Sequence, residues 1–499
     1  MTAIAHTPAS GMSDAARQRA VRLIFAAVAL AVGALAAFGS AQLFVTVVVG
    51  SLFAVAALTL PWPWVAIGVA ALAPLQLYFE IPDSSITLRG AVVFVFAAAV
   101  RLLVQRITRK EVTRWQSWML PAALFLIAAL AAALGAQSRY LAFKGIYDWL
   151  VIFAAAFVVG EIVQSRQFVK RLILVLIAGG VAEAALGLAQ YAAGLDNVLR
   201  VLRLPVSTLF IQPNLLKERL IDLSFNWVVF DRASPFGTFI NGIDFAIFVA
   251  AILGLALALL VAARERTRMV ILFASVLLLG AALLLTFKGS GLLAFAGAAA
   301  TVTLFSLRRL SPRVVAIGII GIGVAMLLAL PFADQIVQRA VFIVQREQGG
   351  TGTAGRLEIW ASLFQVYLQR PIFGYGLNHA ALLTEASRTL RYGAVAFNSP
   401  SAESAYVSAL IETGLVGFAA LMVFLAGVLT RAVRYARADA TFVGILAALV
   451  ALLLGNLTVA GFTTDQNGML LGVLVGMTFG FNPRIFANPR EQKQICENS

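Results

Sequence analysis

The sequence predicts an all-α fold: a polytopic transmembrane helical bundle of about 12–14 spans, with a large external loop that carries amphipathic helices. Composition is the first reason, because hydrophobic residues account for 61% of the 499 residues and charged residues for only 12%. The mean hydropathy is accordingly high, at +0.92. The second reason is that the apolar residues fall into runs of about 20, the helix length that crosses a hydrocarbon core of about 30 Å.

These runs place about fourteen spans along the chain, an even number that leaves both ends on one side of the membrane. The predicted spans are 22–39, 42–60, 63–79, 89–105, 118–136, 145–163, 170–192, 238–262, 269–287, 289–307, 314–331, 405–430, 440–461 and 467–481. The least regular is 63–79, because it contains Pro74 and proline disrupts a helix interior.

Lysine and arginine in the short connections predict the orientation, since they collect on the cytoplasmic side. The basic clusters lie at 17–22, 106–114, 166–171, 264–268, 308–313, 431–437 and 484–493. All of them fall on one side, so we expect both termini in the cytoplasm. The chain then divides into a cytoplasmic N-terminal segment (1–21), transmembrane helices with an external loop near 195–237 (22–331), a second external loop (332–404), C-terminal transmembrane helices (405–481) and a cytoplasmic tail (482–499).

The remaining composition excludes several classes of function. The net charge of +15 is mostly a consequence of the topology, so we expect membrane lipids and no nucleic acid as a partner. Cys496 is the single cysteine, and His6 and His379 are the two histidines. Such a chain has no intramolecular disulfide and too few thiol or imidazole ligands for a typical zinc site. We therefore expect neither a metal nor a cofactor.

A first polar motif, FDRASPFGTFINGIDFAIF, runs from Phe230 to Phe248 and leads into a span. It supplies Arg232 and Asn241 before the span and Asp244 inside its first turns. A carboxylate within a span is costly and tends to face protein or water, although the cost is smaller near the end of a helix. We therefore expect the carboxylate of Asp244 either to line a binding site or to extend to the membrane–water interface. Glu183 lies deeper in its own span.

A second motif, LLLTFKGSGLLAFAGA, interrupts two apolar runs at Lys288. The hairpin must be tight, which holds the lysine at the external surface, where a basic residue is also commonplace. We expect Lys288 to converge with Arg232 and Arg356 on one interfacial pocket. Cations gathered there would suit a lipid-linked pyrophosphate, because guanidinium groups bind phosphate oxygens bidentately.

The third motif lies in the loop 332–404 and at its end. Arg356 begins RLEIWASLFQVYLQRPIFGYG, whose apolar spacing predicts an amphipathic helix along the membrane surface, broken by Pro371 and the glycines that follow. After it, SAESAYVSALIETGLVG brings Glu403 and Tyr406 to the mouth of the next span. A polar segment of this kind in an apolar chain is where we expect the chemistry.

The motifs follow a recognisable order: GLAQYAAG, R-x-x-x-x-GTF-x-N, LTFKGSGLLAF, GR-x-x-x-W with RPIFGYG, and E-S-x-Y-(x)5-E-x-G-x-x-G. In this order, over roughly residues 175–480, the chain resembles the O-antigen ligase and polymerase superfamily. These are inverting glycosyltransferases of the bacterial inner membrane that use glycans carried on undecaprenyl pyrophosphate.

The resemblance implies a catalytic set of Glu403, Arg232 and Arg356. It also implies a pyrophosphate and glycan site formed by Lys288, Arg232, Arg356, Tyr406, Asn241 and Asp244. Lys288 stands where many members carry an arginine, and Glu403-Ser404 stands where ligases carry His-Asn. A glutamate can take the proton of the incoming hydroxyl as the histidine would. Equally, Glu403 can be a helix cap, because acids suit helix N-termini.

Several functions remain open at this stage. Loss of His-Asn favours, by analogy, a polymerase of exopolysaccharide or O-antigen repeat units. The alternatives are an O-antigen ligase that transfers glycan to lipid A–core and a protein O-oligosaccharyltransferase. The expected partners are the lipid-linked oligosaccharide donor, a glycan or lipid A–core acceptor, and a chain-length regulator and flippase of the same pathway. A multi-span transporter or flippase is a different class, and it predicts a site at the bilayer centre.

Overall fold

The computed structural model describes residues 41–75, 78–80, 87–109, 116–163, 165–202, 228–229, 232–239, 242–306, 337, 353–380, 382–383 and 402–481. Within these ranges the protein is a helical bundle. The helices are α1 (Ala41–Thr59), α2 (Trp62–Leu72), α3 (Gly90–Arg109), α4 (Met119–Leu134), α5 (Arg139–Ile162), α6 (Arg166–Ala193), α7 (Leu195–Leu202), α8 (Gly242–Ala262), α9 (Arg266–Leu285), α10 (Gly289–Ser306), α11 (Thr353–Tyr367), α12 (Ala405–Ala438), α13 (Ala440–Gly455) and α14 (Asp465–Gly480).

Extended structure is confined, in the described ranges, to two short antiparallel ladders. Strand β1 (Tyr78–Glu80) pairs with β2 (Thr87–Arg89), and β3 (Val228–Val229) pairs with β4 (Arg232–Ala233). The all-α prediction is therefore confirmed, with these ladders as small additions at helix entries.

The predicted spans coincide with helices wherever the structure describes them, and 22–39 and 314–331 lie outside the described residues. Within the described residues, seven helices are long and apolar enough to cross a membrane, namely α3, α5, α6, α8, α9, α10 and α12. The prediction for 63–79 is wrong in its extent. Helix α2 ends at Leu72, just before Pro74, and the chain turns toward β1, because a proline ring cannot continue the helical hydrogen-bond ladder.

Helix α8 forms the centre of the bundle. Almost every residue from Gly242 to Leu260 is buried, and α8 packs against α9, α10 and α13. Such uniform apolarity is expected of a helix that is surrounded by other helices rather than by water or lipid.

Helices α5 and α14 form the most extensive helix pair, along a glycine seam. Gly468, Gly472, Gly476 and Gly480 recur at every fourth residue of α14. A Cβ added at Gly472 would lie 2.6 Å from the Ile152 carbonyl oxygen, and one at Gly480 would lie 2.4 Å from that of Gly160. Small residues at this spacing allow two membrane helices to approach backbone to backbone.

Contacts between helix ends divide the bundle into two ends. At one end, Arg101 donates to the carbonyl of Leu60, Arg106 pairs with Glu161, Arg166 pairs with Asp439 and Arg431 donates to the carbonyl of Thr478. We call this the opposite end. It gathers Arg106, Arg166 and Arg431, which belong to basic clusters that the sequence predicts to be cytoplasmic.

The other end, here called the site end, is organised around the α13–α14 connection, residues 456–464. Thr458 bonds to Ser290 at the start of α10 (2.7 Å), and Ala405 at the start of α12 donates to Asn456 and Val459. The first residue of α14, Asp465, binds Arg89 and Tyr78. The motifs singled out in the sequence meet at this end.

Candidate functional site

Arg356 and Glu403, far apart in sequence, form an ion pair at the site end. Arg356 lies in the first turn of α11, and its Nε donates to Oε2 of Glu403 at 2.6 Å. One turn further along α11, Trp360 Nε1 donates to the carbonyl oxygen of Ala402 at 2.7 Å. Because residues four apart share a face of a helix, the two bonds fasten α11 to the segment just before α12.

Glu403 itself has an unusual backbone. Its φ is +48°, a left-handed conformation that is uncommon for residues other than glycine and is often found at functional sites. The N-cap of α12 is Ser404, whose side chain accepts from Val407 N. The capping role considered for Glu403 is therefore taken by its neighbour, while the glutamate side chain, 23% exposed, extends to Arg356.

Helix α11 confirms the predicted helix after Gly355, but its apolar residues do not form a single face. Leu363 and Tyr367 are buried against Ala402 and Ile411, whereas Leu357 and Phe364 are 56% and 48% exposed. One side of α11 packs on α12, and its other apolar side suits lipid. The sequence pattern does not distinguish the two sides of α11, because both carry apolar residues.

Lys288 lies in the tight α9–α10 turn, next to the start of α8. A Cβ added at Gly242 would lie 3.5 Å from Cε of Lys288 and 3.1 Å from Oγ of Ser234. The structure thus brings Lys288 beside the first motif. Arg232 belongs to β4, two residues before Ser234, but its side chain and the whole of Asn241 lie outside the described residues.

Two polar side chains of α6 bind the loop of the first motif. Glu183 accepts two hydrogen bonds from Thr238, one from its backbone N and one from its hydroxyl, both at 2.8 Å. About two helical turns further along α6, Gln190 accepts from Gly237 N and donates to Gly237 O. Glu183 is buried, as its place in the span predicts, and its function here is to fix the loop that follows β4.

Asp244 is buried in the first turn of α8 and faces the α13–α14 connection. A Cβ at Gly461 would lie 3.1 Å from its Oδ1, and Asn467 donates to its backbone carbonyl at 3.2 Å. Gly461 in turn donates to Asn456 Oδ1. The same connection binds Ser290 on one side and Ala405 on the other, so it links Lys288 and Asp244 to the Arg356–Glu403 pair.

Tyr406, for which substrate binding stays a prediction, makes contacts with α13 and with the α13–α14 connection. Its hydroxyl donates to the carbonyl oxygen of Leu453 at 3.0 Å, and its ring packs edge-on against Phe462. The carbonyls in the last turn of a helix lack intrahelical partners, and Tyr406 satisfies one in α13. Its contacts orient α12 against α13.

Sequence reasoning missed a charged cluster at this end. Arg89 binds Asp148 (2.6 Å) and Asp465, and Tyr78 also donates to Asp465. Asp148 lies near one end of an apolar run, but nothing in the sequence links it to Arg89. The available signal was the position of each charge at the edge of an apolar run, where ions are retained only when they are paired or wet.

The arrangement suits anion binding and proton transfer. A guanidinium and an ammonium stand at the entries of two helices, and a carboxylate lies in contact with the guanidinium. Among the described residues there is no group of three or more His, Cys, Asp and Glu side chains that could hold a metal ion.

The fold and site define a multi-pass helical membrane protein with a polar, cationic site at one end of its bundle. Residues 273–422 match the family model described as O-antigen ligase. This match supports the resemblance to the O-antigen ligase and polymerase superfamily that the motifs indicate. Lys288, Arg356 and Glu403 lie inside the matched range, whereas Arg232 and Asp244 precede it. A comparison with curated proteins gives no match.

Proposed function

We propose that the protein is an inverting glycosyltransferase of the bacterial inner membrane that polymerises undecaprenyl-pyrophosphate-linked repeat units of an exopolysaccharide or O-antigen. Its reaction takes place at the site end, on the external face. The observation that carries this proposal is the 2.6 Å contact between Arg356 and Glu403, a phosphate-binding cation beside a proton acceptor, within the range of the family match.

In the proposed reaction, the hydroxyl oxygen of the acceptor sugar attacks the anomeric carbon of the donor from the face opposite the pyrophosphate. The new carbon–oxygen bond forms as the bond to the pyrophosphate oxygen breaks, and that oxygen keeps the electron pair. Glu403 takes the hydroxyl proton as general base and later gives it to water. Arg356 and Arg232 neutralise the charge that develops on the departing pyrophosphate.

The Arg356–Glu403 ion pair implies that the donor binds before the acceptor hydroxyl reaches Glu403. In the absence of donor, the guanidinium of Arg356 occupies one oxygen of Glu403. A pyrophosphate offers that guanidinium more negative charge and bidentate geometry. Donor binding then draws Arg356 away and leaves the carboxylate oxygen for the acceptor hydroxyl.

The other members of the site have supporting functions. We assign Lys288 to the pyrophosphate, with Asn241 and Asp244 at the start of α8 contacting the donor headgroup or its glycan. Tyr406 keeps its predicted place near the site but acts through the packing of α12 on α13, because its hydroxyl is bonded to Leu453. The expected partners remain the lipid-linked donor, the glycan acceptor, and a flippase and chain-length regulator.

O-antigen ligase activity is the second candidate, and the description of the matching family model favours it. Glu403-Ser404 in place of His-Asn favours the polymerase. Transport is disfavoured, because the Arg356–Glu403 pair lies just before the first residue of α12 rather than at the middle of a helix, where a transport site is expected.

The test uses purified full-length protein supplied with an undecaprenyl-pyrophosphate-linked repeat unit. A ladder of chain lengths is the expected result, whereas a single shift of added lipid A–core would identify a ligase. No transfer to either acceptor would contradict the enzyme assignment.

Substitutions locate the reaction in that assay. Glu403→Gln removes the base and is expected to lower kcat by about 10²–10⁴-fold. Arg356→Ala and Arg232→Ala are expected to cost about 10²-fold or more, because each removes charge stabilisation of the leaving group. The matched control is Arg166→Ala, which breaks an arginine–aspartate pair at the opposite end and should leave transfer unchanged. Full activity in all three site variants would move the site elsewhere.

A further inference from the structure

Helix α12 is broken at Gly414, and a loop from another part of the chain fills the break. Gly414 has φ 63° and ψ −171°, which interrupts the helical hydrogen bonds. The segment 371–376 replaces them in both directions, through Tyr375 N to Ile411 O (3.1 Å), Gly376 N to Glu412 O (2.8 Å), Leu415 N to Pro371 O (2.8 Å) and Val416 N to Ile372 O (3.2 Å). The orphaned backbone groups of the break are thereby satisfied by the RPIFGYG motif.

Two glycines make this insertion possible. A Cβ at Gly374 would lie 2.4 Å from the Ile411 carbonyl oxygen, and a Cβ at Gly414 would lie 2.2 Å from that of Ile372. Both glycines also have left-handed φ values, 73° and 63°, which are strained for other residues. The RPIFGYG motif and the E-x-G-x-x-G motif are therefore the two halves of one joint.

Glu412 closes this joint with its side chain. The side chain is buried in α12, and its Oε1 accepts from Ala380 N at 3.0 Å. The backbone amides of Asn378 and His379 lie next to the same carboxyl group. Three consecutive amides that converge on one acidic group form an anion-binding concavity, so the loop beyond Gly376 is shaped around Glu412.

The same loop is tied to the α4–α5 connection. Arg370 donates to the carbonyl of Gly135 at 2.7 Å, and Ser138 N donates to His379 Nε2 at 3.0 Å. Asn378 donates to the carbonyl of Leu141. Residues 370–380 are the direct continuation of α11, so these bonds fix the C-terminal end of the helix whose first turn carries Arg356.

We propose that Glu412 is a positioning residue. By holding residues 378–380, its carboxyl group fixes the C-terminal end of α11, and α11 then presents Arg356 to Glu403. This inference rests on the proposed function for the importance of that pair. The side chain of Glu412 accepts its hydrogen bond from the loop, so its loss is expected to release α11 and leave the transmembrane bundle intact.

Hydrogen exchange of the full-length protein tests the inference without substrate. In Glu412→Ala, the amide of Ala380 is expected to exchange about tenfold faster or more, since it loses its hydrogen-bond acceptor. Exchange in α11 should rise with it, while α8 and α14 keep the wild-type rate. Glu412→Gln keeps an acceptor oxygen of the same reach and should retain most of the protection.

The matched control is Glu161→Gln, a buried acid paired with Arg106 at the opposite end, which should leave exchange in α11 and transfer unchanged. In the transfer assay, Glu412→Ala should lower kcat about tenfold or more, with little change in the KM for the acceptor. Unchanged exchange in α11, or faster exchange spread evenly over the bundle, would overturn the inference. An inactive wild-type protein would contradict the proposed function alone, because exchange needs no turnover.

Discussion

Glu403 is the residue on which the proposed chemistry of the site depends. Its position was expected from the motif order, and its contact with Arg356 was not, because 47 positions separate them and no local pattern encodes such a distance. The sequence also left open whether Glu403 caps a helix. The structure gives the cap to Ser404 and turns the glutamate to the guanidinium.

Exchanging the two charges of the Arg356–Glu403 pair tests whether this pair is only structural or also takes part in the reaction. Arg356→Glu combined with Glu403→Arg should restore the docking of α11, measured as its hydrogen exchange, because opposite charges again meet. Glycan transfer should stay lost, because the base and the leaving-group cation have changed places. Each single substitution should lose both properties. Recovery of transfer in the double variant would mean that the pair is only structural.

Glu183 shows what sequence can and cannot predict about a single buried acid. Its place within an apolar run correctly predicts burial with a partner. The partner, Thr238, belongs to the loop of the first motif and was not foreseen as such. Burial follows from the neighbours along the helix, whereas the partner depends on which loop the fold brings alongside.

At the scale of elements, helix positions followed from apolar periodicity and length, and their interruptions did not. Helix α12 was predicted for 405–430 and extends from Ala405 to Ala438 with a break at Gly414. A glycine in an apolar run predicts no break by itself. Here the break exists because the RPIFGYG loop supplies the missing hydrogen bonds.

The glycine seam between α5 and α14 makes a quantitative prediction. Gly472→Leu should destabilise the protein by about 1–3 kcal/mol or more, because a side chain there would meet the backbone of α5. Heat- or denaturant-induced unfolding of the protein in detergent measures the change in stability. Gly427→Ala is the matched control, since a Cβ at this exposed position of α12 meets nothing within 4 Å. Equal destabilisation by both variants would argue against close packing at the seam.

At the scale of the whole molecule, the contacts define two ends, and the positive-inside rule assigns the site end to the outside. Cysteine labelling checks this orientation in a Cys496→Ser background. Gln137→Cys, exposed beside Ser138 at the site end, should react with an impermeant maleimide in intact spheroplasts. Gln167→Cys, exposed beside Arg166 at the opposite end, should react only after the membrane is permeabilised. The reverse labelling pattern would mean that the protein has the opposite orientation, with its site in the cytoplasm.

The sequence by itself determined the fold class, the position of most helices and the order of the motifs. It did so because hydrophobicity, span length and basic connections are properties of short segments in contact with lipid or water. Only the tertiary structure decided that Arg356 meets Glu403, that Tyr406 bonds to Leu453 and that Glu412 holds the loop after α11. These pairings form because satisfying a buried polar group requires a partner from a distant segment, and that partner is set by how the helices pack.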